Sequence, residues 1–91
     1  MKSIKVPIED HIDLHTFRPE EVSDLLPAYF EECIKKGIFT VRIIHGKGRG
    51  FLKKGVVELL RKSPLVESFK DAPIEAGGWG ATIVELKKTA P

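Results

Sequence analysis

Two histidines and one aspartate stand where a fold could bring them together. His15 and His45 each close a stretch that reads as a β-strand, and Asp13 lies two residues before the first of them. If those strands are parallel neighbours, both imidazoles emerge at one sheet edge, where α/β folds place their ligands. Histidine exchanges protons near neutral pH, so a His15/His45 pair could activate a nucleophile while Lys47 and Arg49 stabilise the charge of a phosphodiester under attack. Asp13 would orient a histidine or hold a divalent cation. The blander alternative has His45 bonding only its own turn and Asp13 pairing only with a local cation.

The turn that opens on His45, "HGKGRG" over His45–Gly50, is built like an anion site. A strand-to-helix turn gathers backbone N–H groups around one concavity, and the helix that follows adds its positive end. Lys47, Arg49, Lys53 and Lys54 supply cations, and Gly46, Gly48 and Gly50 allow close approach. Neither nucleotide signature is met, since GxxxxGK[ST] is absent and the glycines run GxGxG rather than GxGxxG, so no nucleotide cofactor is expected. The simpler alternative is a turn whose glycines only supply positive φ. The chain's one tryptophan, Trp79, sits in the glycine-rich "GGWGAT". It would stack on a base or pack on the sheet edge. No metal site is assigned: three histidines without a cysteine pair lack structural-zinc spacing. Cys33 falls in an apolar helical stripe and reads as core.

Charge placement points the same way as the turn. The net charge is only +2, yet Lys35 to Lys62 holds nine cations against one anion, Glu58. Such a local basic field suits a phosphate-bearing partner, with a solvated lysine-rich surface as the alternative. One cysteine excludes an internal disulfide. No apolar run approaches the ~20 residues of a membrane span, and the first residues do not resemble a secretory signal, so a cytoplasmic location is expected.

These groups need elements to position them, and 91 residues with 42% hydrophobic content predict one α/β domain over 1–91, its core at about 10–88. "HIDLH" alternates, with Ile12 and Leu14 facing inward and His11, Asp13 and His15 outward. Pro19, Glu20 and Glu21 signal a helix whose stripe is Val22, Leu25, Leu26, Tyr29, Phe30, Cys33 and Ile34, capped at Gly37 and kinked on its solvent side at Pro27. "FTVRIIHG" reads as the second strand, and a second helix runs from about Phe51 to Lys62 before Pro64. "VESFKD" and "ATIVELK" are too close for a crossover and predict an antiparallel hairpin. Inside the last strand, Ala81, Ile83 and Leu86 compete with Val84 for the core. The order β-α-β-α-β-β gives a two-layer sandwich, a mixed four-stranded sheet with two helices on one face.

"IDLH" at Ile12–His15, "RIIHGKGRG" at Arg42–Gly50 and "GGWGAT" at Gly77–Thr82 resemble, in order and spacing, the small MutS-related (Smr) domain family. The resemblance implies a fold similar to the C-terminal domain of bacterial initiation factor three. It also implies nucleic-acid binding and, in members, endonuclease activity on DNA or RNA, in some cases on ribosome-associated messenger RNA. The functional positions carried over are Asp13 and His15, then His45, Gly46, Lys47 and Gly48, then Gly78 and Gly80. Two residues depart from the family pattern: Thr16 replaces a glycine and narrows the approach to His15, and Arg18 replaces a serine or threonine cap and adds a binding cation. Three readings follow: an endonuclease using Asp13, His15 and His45, a DNA- or RNA-binding module without chemistry, and a domain whose basic stretch meets an acidic protein. The cofactor is unknown, with a divalent ion one option, and the oligomeric state is not fixed by the sequence.

Overall fold

The computed structural model of the chain describes residues 9–46 and 50–88. Strand β1 (His11–Asp13) leads to helix α1 (Pro19–Lys35), strand β2 (Thr40–Ile44), helix α2 (Phe51–Lys62), strand β3 (Val66–Asp71), and strand β4 (Ala81–Leu86). The sheet order is β1-β2-β4-β3, with β1 parallel to β2 and β4 antiparallel to both β2 and β3. This is the expected mixed sheet with two helices, and the β3/β4 pair is the expected hairpin. No helix among the described residues is long and apolar enough to cross a membrane.

Apolar spacing explains the layers. Helix α1 buries Val22, Leu26, Tyr29, Phe30 and Cys33, and α2 buries Val56 and Leu60. They meet Val41 and Ile43 of β2, Val84 and Leu86 of β4, and Leu14 just beyond β1 in one core. Cys33 is wholly enclosed there, and burial raises its thiol pKa, so it is a core residue. Helix α1 begins with Pro19 preset for the first turn, and the Arg18 N–H donates to Glu21 Oε1 at 2.8 Å. It closes at Lys36, with Gly37 at φ +77° beyond it. Pro27 stands on the exposed side of the helix.

The competition within β4 is settled by register. Val84 opposes Val41 and Thr82 opposes Ile43, so Thr82, Val84 and Leu86 face the helices. Ile83, opposite Arg42, lies on the open face, where Thr40 Oγ1 donates to Glu85 Oε1 across the strands at 2.8 Å. Ala81 shares the parity of Ile83 and is nonetheless buried, because the β3–β4 connection folds against it.

That connection differs from a simple turn. It forms two consecutive 3₁₀ turns, Ile74–Ala76 and Gly78–Gly80, joined through Gly77 at φ +117°. A Cβ added at Gly77 would come within 2.9 Å of Ala81 Cβ, whereas one at Gly78, also at positive φ, would meet nothing within 4 Å. Backbone strain is common to both positions, and steric overlap is confined to the first. Gly77→Ala is therefore expected to lower unfolding free energy by about 2–3 kcal/mol, and Gly78→Ala by about 1 kcal/mol, as read by urea denaturation. Equal losses would mean that the contact with Ala81 relaxes freely.

Candidate functional site

Strand directions bring three connections to one edge. Asp13 at the end of β1 is level with Ile44 at the end of β2, and Ala81 at the start of β4 is opposite the same Ile44. Asp71 at the end of β3 opposes Thr82. The β1–α1, β2–α2 and β3–β4 connections thus leave the sheet side by side. Each carries one of the motifs singled out in the sequence.

Asp13 and His15 form a pair. The His15 ring donates from Nδ1 to Asp13 Oδ1 at 2.5 Å, and the His15 backbone N–H reaches the same oxygen at 3.0 Å. The side-chain bond from His15, reinforced by the backbone N–H, holds the Asp13 carboxyl below its ordinary value of 3.8, so it is a carboxylate at neutral pH. A carboxylate only accepts, so Nδ1 carries the proton of this bond, which in the neutral tautomer leaves the lone pair on Nε2. Both side chains are at least half exposed.

His45 is placed differently. The period of β2 that buries Val41 and Ile43 carries His45 inward as well, and the residue is 4% exposed. Its Nδ1 donates to Gly46 O at 3.2 Å, and Nε2 accepts from the Thr82 hydroxyl at 2.8 Å. Burial lowers its pKa below 6.5, opposed by the Gly46 carbonyl and assisted by the charge of Lys53, with Asp71 acting the other way. The expected pairing of two imidazoles is therefore not what the fold assembles. His15 is partnered by Asp13, His45 by Thr82, and no described hydrogen bond joins the two rings. Strand parity is the reason: the ring of His45 follows the core face and that of His15 follows the open face.

Backbone bonds tie the three motifs together. The Gly80 carbonyl accepts the N–H groups of His45 at 3.0 Å and Gly46 at 2.9 Å, so the third motif clamps the second. Gly46, at φ +82°, passes beside His15, where an added Cβ would sit 3.5 Å from the His15 Cβ. Gly50 then caps α2 with no side-chain bond, and the first turn of α2 contains no acidic residue. Lys54 is exposed there, while Lys53 lies 2.9 Å from Asp71 Oδ1 and 5.2 Å from the centre of the Trp79 ring. Arg18 is exposed at the start of α1, and Gly78 is half-buried in the β3–β4 connection. Lys47, Gly48 and Arg49 lie outside the described residues.

Two members of the site were not singled out from the sequence. Thr82 lies within "GGWGAT", so the signal was present without a partner to interpret it. Asp71 had no local signal, because its ion pair spans from β3 to α2. Among the described residues no group of three or more histidine, cysteine, aspartate and glutamate side chains is arranged to hold a metal.

A mixed four-stranded sheet with two helices and a clamped glycine turn at one edge defines a known class of small α/β domain. The chain belongs to the Smr domain family, whose profile matches residues 12–87. It is 48% identical over 75 residues to the endonuclease MutS2 of Helicobacter pylori (strain ATCC 700392 / 26695), covering 82% of this chain and 10% of that protein. The MutS2 endonuclease of Finegoldia magna is 42% identical over 80 residues, 88% of this chain and 10% of the relative. The chain thus spans about a tenth of the length of these relatives. Its fold superposes on the crystal structure of the Smr domain of Thermus thermophilus MutS2 with a TM-score of 0.82 and 38% identity, covering 87% of this chain and 99% of that one. YdaL, a stand-alone small MutS-related protein from Escherichia coli, gives a TM-score of 0.82 at 27% identity over 90% of this chain and 67% of its own.

Burial of neutral His45 has a consequence for stability. Its pKa is lower in the folded than in the unfolded chain, so the unfolded chain binds more protons in the interval between the two values. The stabilisation is complete above 6.5 and is lost as pH falls from there through the lowered value. Wild-type unfolding free energy should fall more steeply below pH 6.5 than that of His45→Gln, which keeps a hydrogen-bonding group near Thr82 without a titrating ring. Parallel curves would show that His45 is not held neutral.

Proposed function

We propose that this domain binds a sugar–phosphate backbone along its motif-bearing edge and cleaves one phosphodiester bond, with His15 as the proton-transfer group. The observation that carries the reading is the Asp13–His15 pair at the sheet edge from which β2 leads to α2, a helix whose start has no side-chain cap. His15 Nε2 takes the proton from the attacking oxygen as that oxygen bonds to phosphorus. The imidazolium that forms is stabilised by the Asp13 carboxylate on Nδ1, and the P–O bond to the leaving oxygen breaks, that oxygen keeping the bonding pair and taking a proton from solvent. The first-turn N–H groups of α2 and the ammonium of Lys54 meet the negative charge that builds on the phosphoryl oxygens. Lys47 and Arg49, outside the described residues, add two positive charges to the segment that leads into α2. His45 shapes the turn through Thr82 and Gly46 rather than exchanging protons. The endonuclease names of the MutS2 relatives support a nucleic-acid substrate.

The exposure of both Asp13 and His15 favours one second reading, a module that binds DNA or RNA without cutting it. A single set of measurements separates the two. Wild-type protein is incubated with matched branched DNA and RNA substrates, with and without chelator, beside His15→Ala. Cleavage should fall by about 10²- to 10⁴-fold in the variant while affinity is retained. Cleavage by His15→Ala at the wild-type rate would remove His15 from the chemistry, and binding with no product from either protein would establish the second reading. In either case Lys54→Ala should reduce the slope of log affinity against log salt by about 0.7–0.9.

A further inference from the structure

The described residues expose four large hydrophobic side chains, Phe17, Phe51, Ile74 and Trp79, at 37%, 72%, 92% and 46%. All four lie at the edge that carries the site. Phe17 is in the β1–α1 connection, Phe51 opens α2 directly after the β2–α2 connection, and Ile74 and Trp79 are in the β3–β4 connection. The other large apolar side chains described are buried or half-buried. Nothing in the core requires an aromatic ring at the solvent-facing start of α2. Exposing one there forgoes hydrophobic stabilisation that a polar residue would not have offered, so the ring has no folding role.

We infer that Phe17, Phe51 and Trp79 form a subsite for unpaired nucleobases, so that this edge takes single-stranded rather than fully paired nucleic acid. The inference rests on the nucleic-acid reading above and adds the strandedness of the substrate and the residues that select it. An unpaired base offers its π faces to an aromatic ring, whereas a base within a duplex has both faces covered by its neighbours and shows only its edges. Three of the four exposed groups are aromatic. They are interleaved with the cations Arg18, Lys53 and Lys54, the combination by which proteins track a single strand, with charge on the backbone and rings on the bases. Lys53 stands over the Trp79 ring while its ammonium is held by Asp71, which fixes the indole against the start of α2 and leaves it 46% exposed. Phe17 leaves β1 two residues after His15, its N–H bonded to Leu14 O at 2.9 Å. A base seated on these rings would lead its own backbone past His15 Nε2.

Trp79 is the sole tryptophan, so its emission reports this subsite alone. The intact chain is titrated with labelled oligothymidylate and oligouridylate strands and with a blunt oligo(dA)·oligo(dT) duplex. Strand anisotropy reports binding, and tryptophan emission reports stacking. Single strands should quench Trp79, and Phe51→Leu should weaken their binding about tenfold, leave duplex affinity unchanged and be rescued by Phe51→Tyr. Thermal unfolding of Phe51→Leu should match wild type, since the ring is exposed. Strands that bind without quenching, and with equal affinity to wild type and Phe51→Leu, would overturn the subsite while the nucleic-acid reading survives. In that outcome the rings serve a protein partner. Failure of both strands and duplex to bind would overturn the two proposals together.

Discussion

Parallel pairing of β1 with β2 is the constraint from which the site follows. A parallel pair needs a crossover, here α1, and a crossover returns the chain so that both strands end at the same edge. β1 is only three residues long and lies at the rim of the sheet, so its hold is weak unless something else secures it. Two backbone bonds bracket it, Arg42 N–H to Asp10 O at 2.8 Å and Leu14 N–H to Ile44 O at 2.7 Å. The enclosed side chain of Leu14 plugs its far end into the core. At the near end the buried Tyr29 hydroxyl donates to Glu9 O at 2.6 Å, so α1 grips the strand that it connects. Asp13 and His15 are therefore positioned by Leu14, the residue that joins them, and by Tyr29 through its bond to Glu9.

Most of this architecture could be read from residue patterns because each element signals its own type. The six-residue strands β3 and β4 matched "VESFKD" and the first six residues of "ATIVELK", and α2 ran from Phe51 to Lys62. Pattern could not supply the pairing across elements. The parity of β2 was in principle legible, since Val41, Ile43 and His45 alternate as a set. A histidine at a strand end also suits an exit residue, which would pair it with His15; in the fold the two rings have different partners, Thr82 and Asp13. Asp71 and Thr82 escaped for a related reason: their partners, Lys53 and His45, are distant in sequence and meet only through sheet register. Within β4 no local rule ranked Ala81 against Val84, because the connection that buries Ala81 is itself a tertiary feature.

The two histidines illustrate how a sheet divides labour at its rim. Inward parity costs His45 its solvation, and the site recovers that cost by giving both ring nitrogens a partner, which in turn fixes Gly46 against His15. Outward parity leaves His15 solvated, with only Nδ1 committed. One ring is thereby built into the frame, and the other keeps Nε2 without a hydrogen-bond partner among the described residues. A single-residue slip of β2 would turn His45 to the open face and part it from Thr82.

The starts of the two helices show the same division in electrostatic terms. Helix α1 begins with Glu20 and Glu21 in its first turn, and the N–H of its capping residue is satisfied by Glu21. That arrangement suits the positive end of a helix. Helix α2 does the opposite: its cap is a glycine without a side chain, its first turn has no acid, and Lys53 and Lys54 stand where cations are disfavoured. Asp71 relieves Lys53, and Lys54 has no ion-pair partner among the described residues. Local stability alone would place a carboxylate at this helix start, as it does in α1. Its absence leaves the positive end of α2 without a carboxylate from its own first turn, at the same sheet edge as the Asp13–His15 pair.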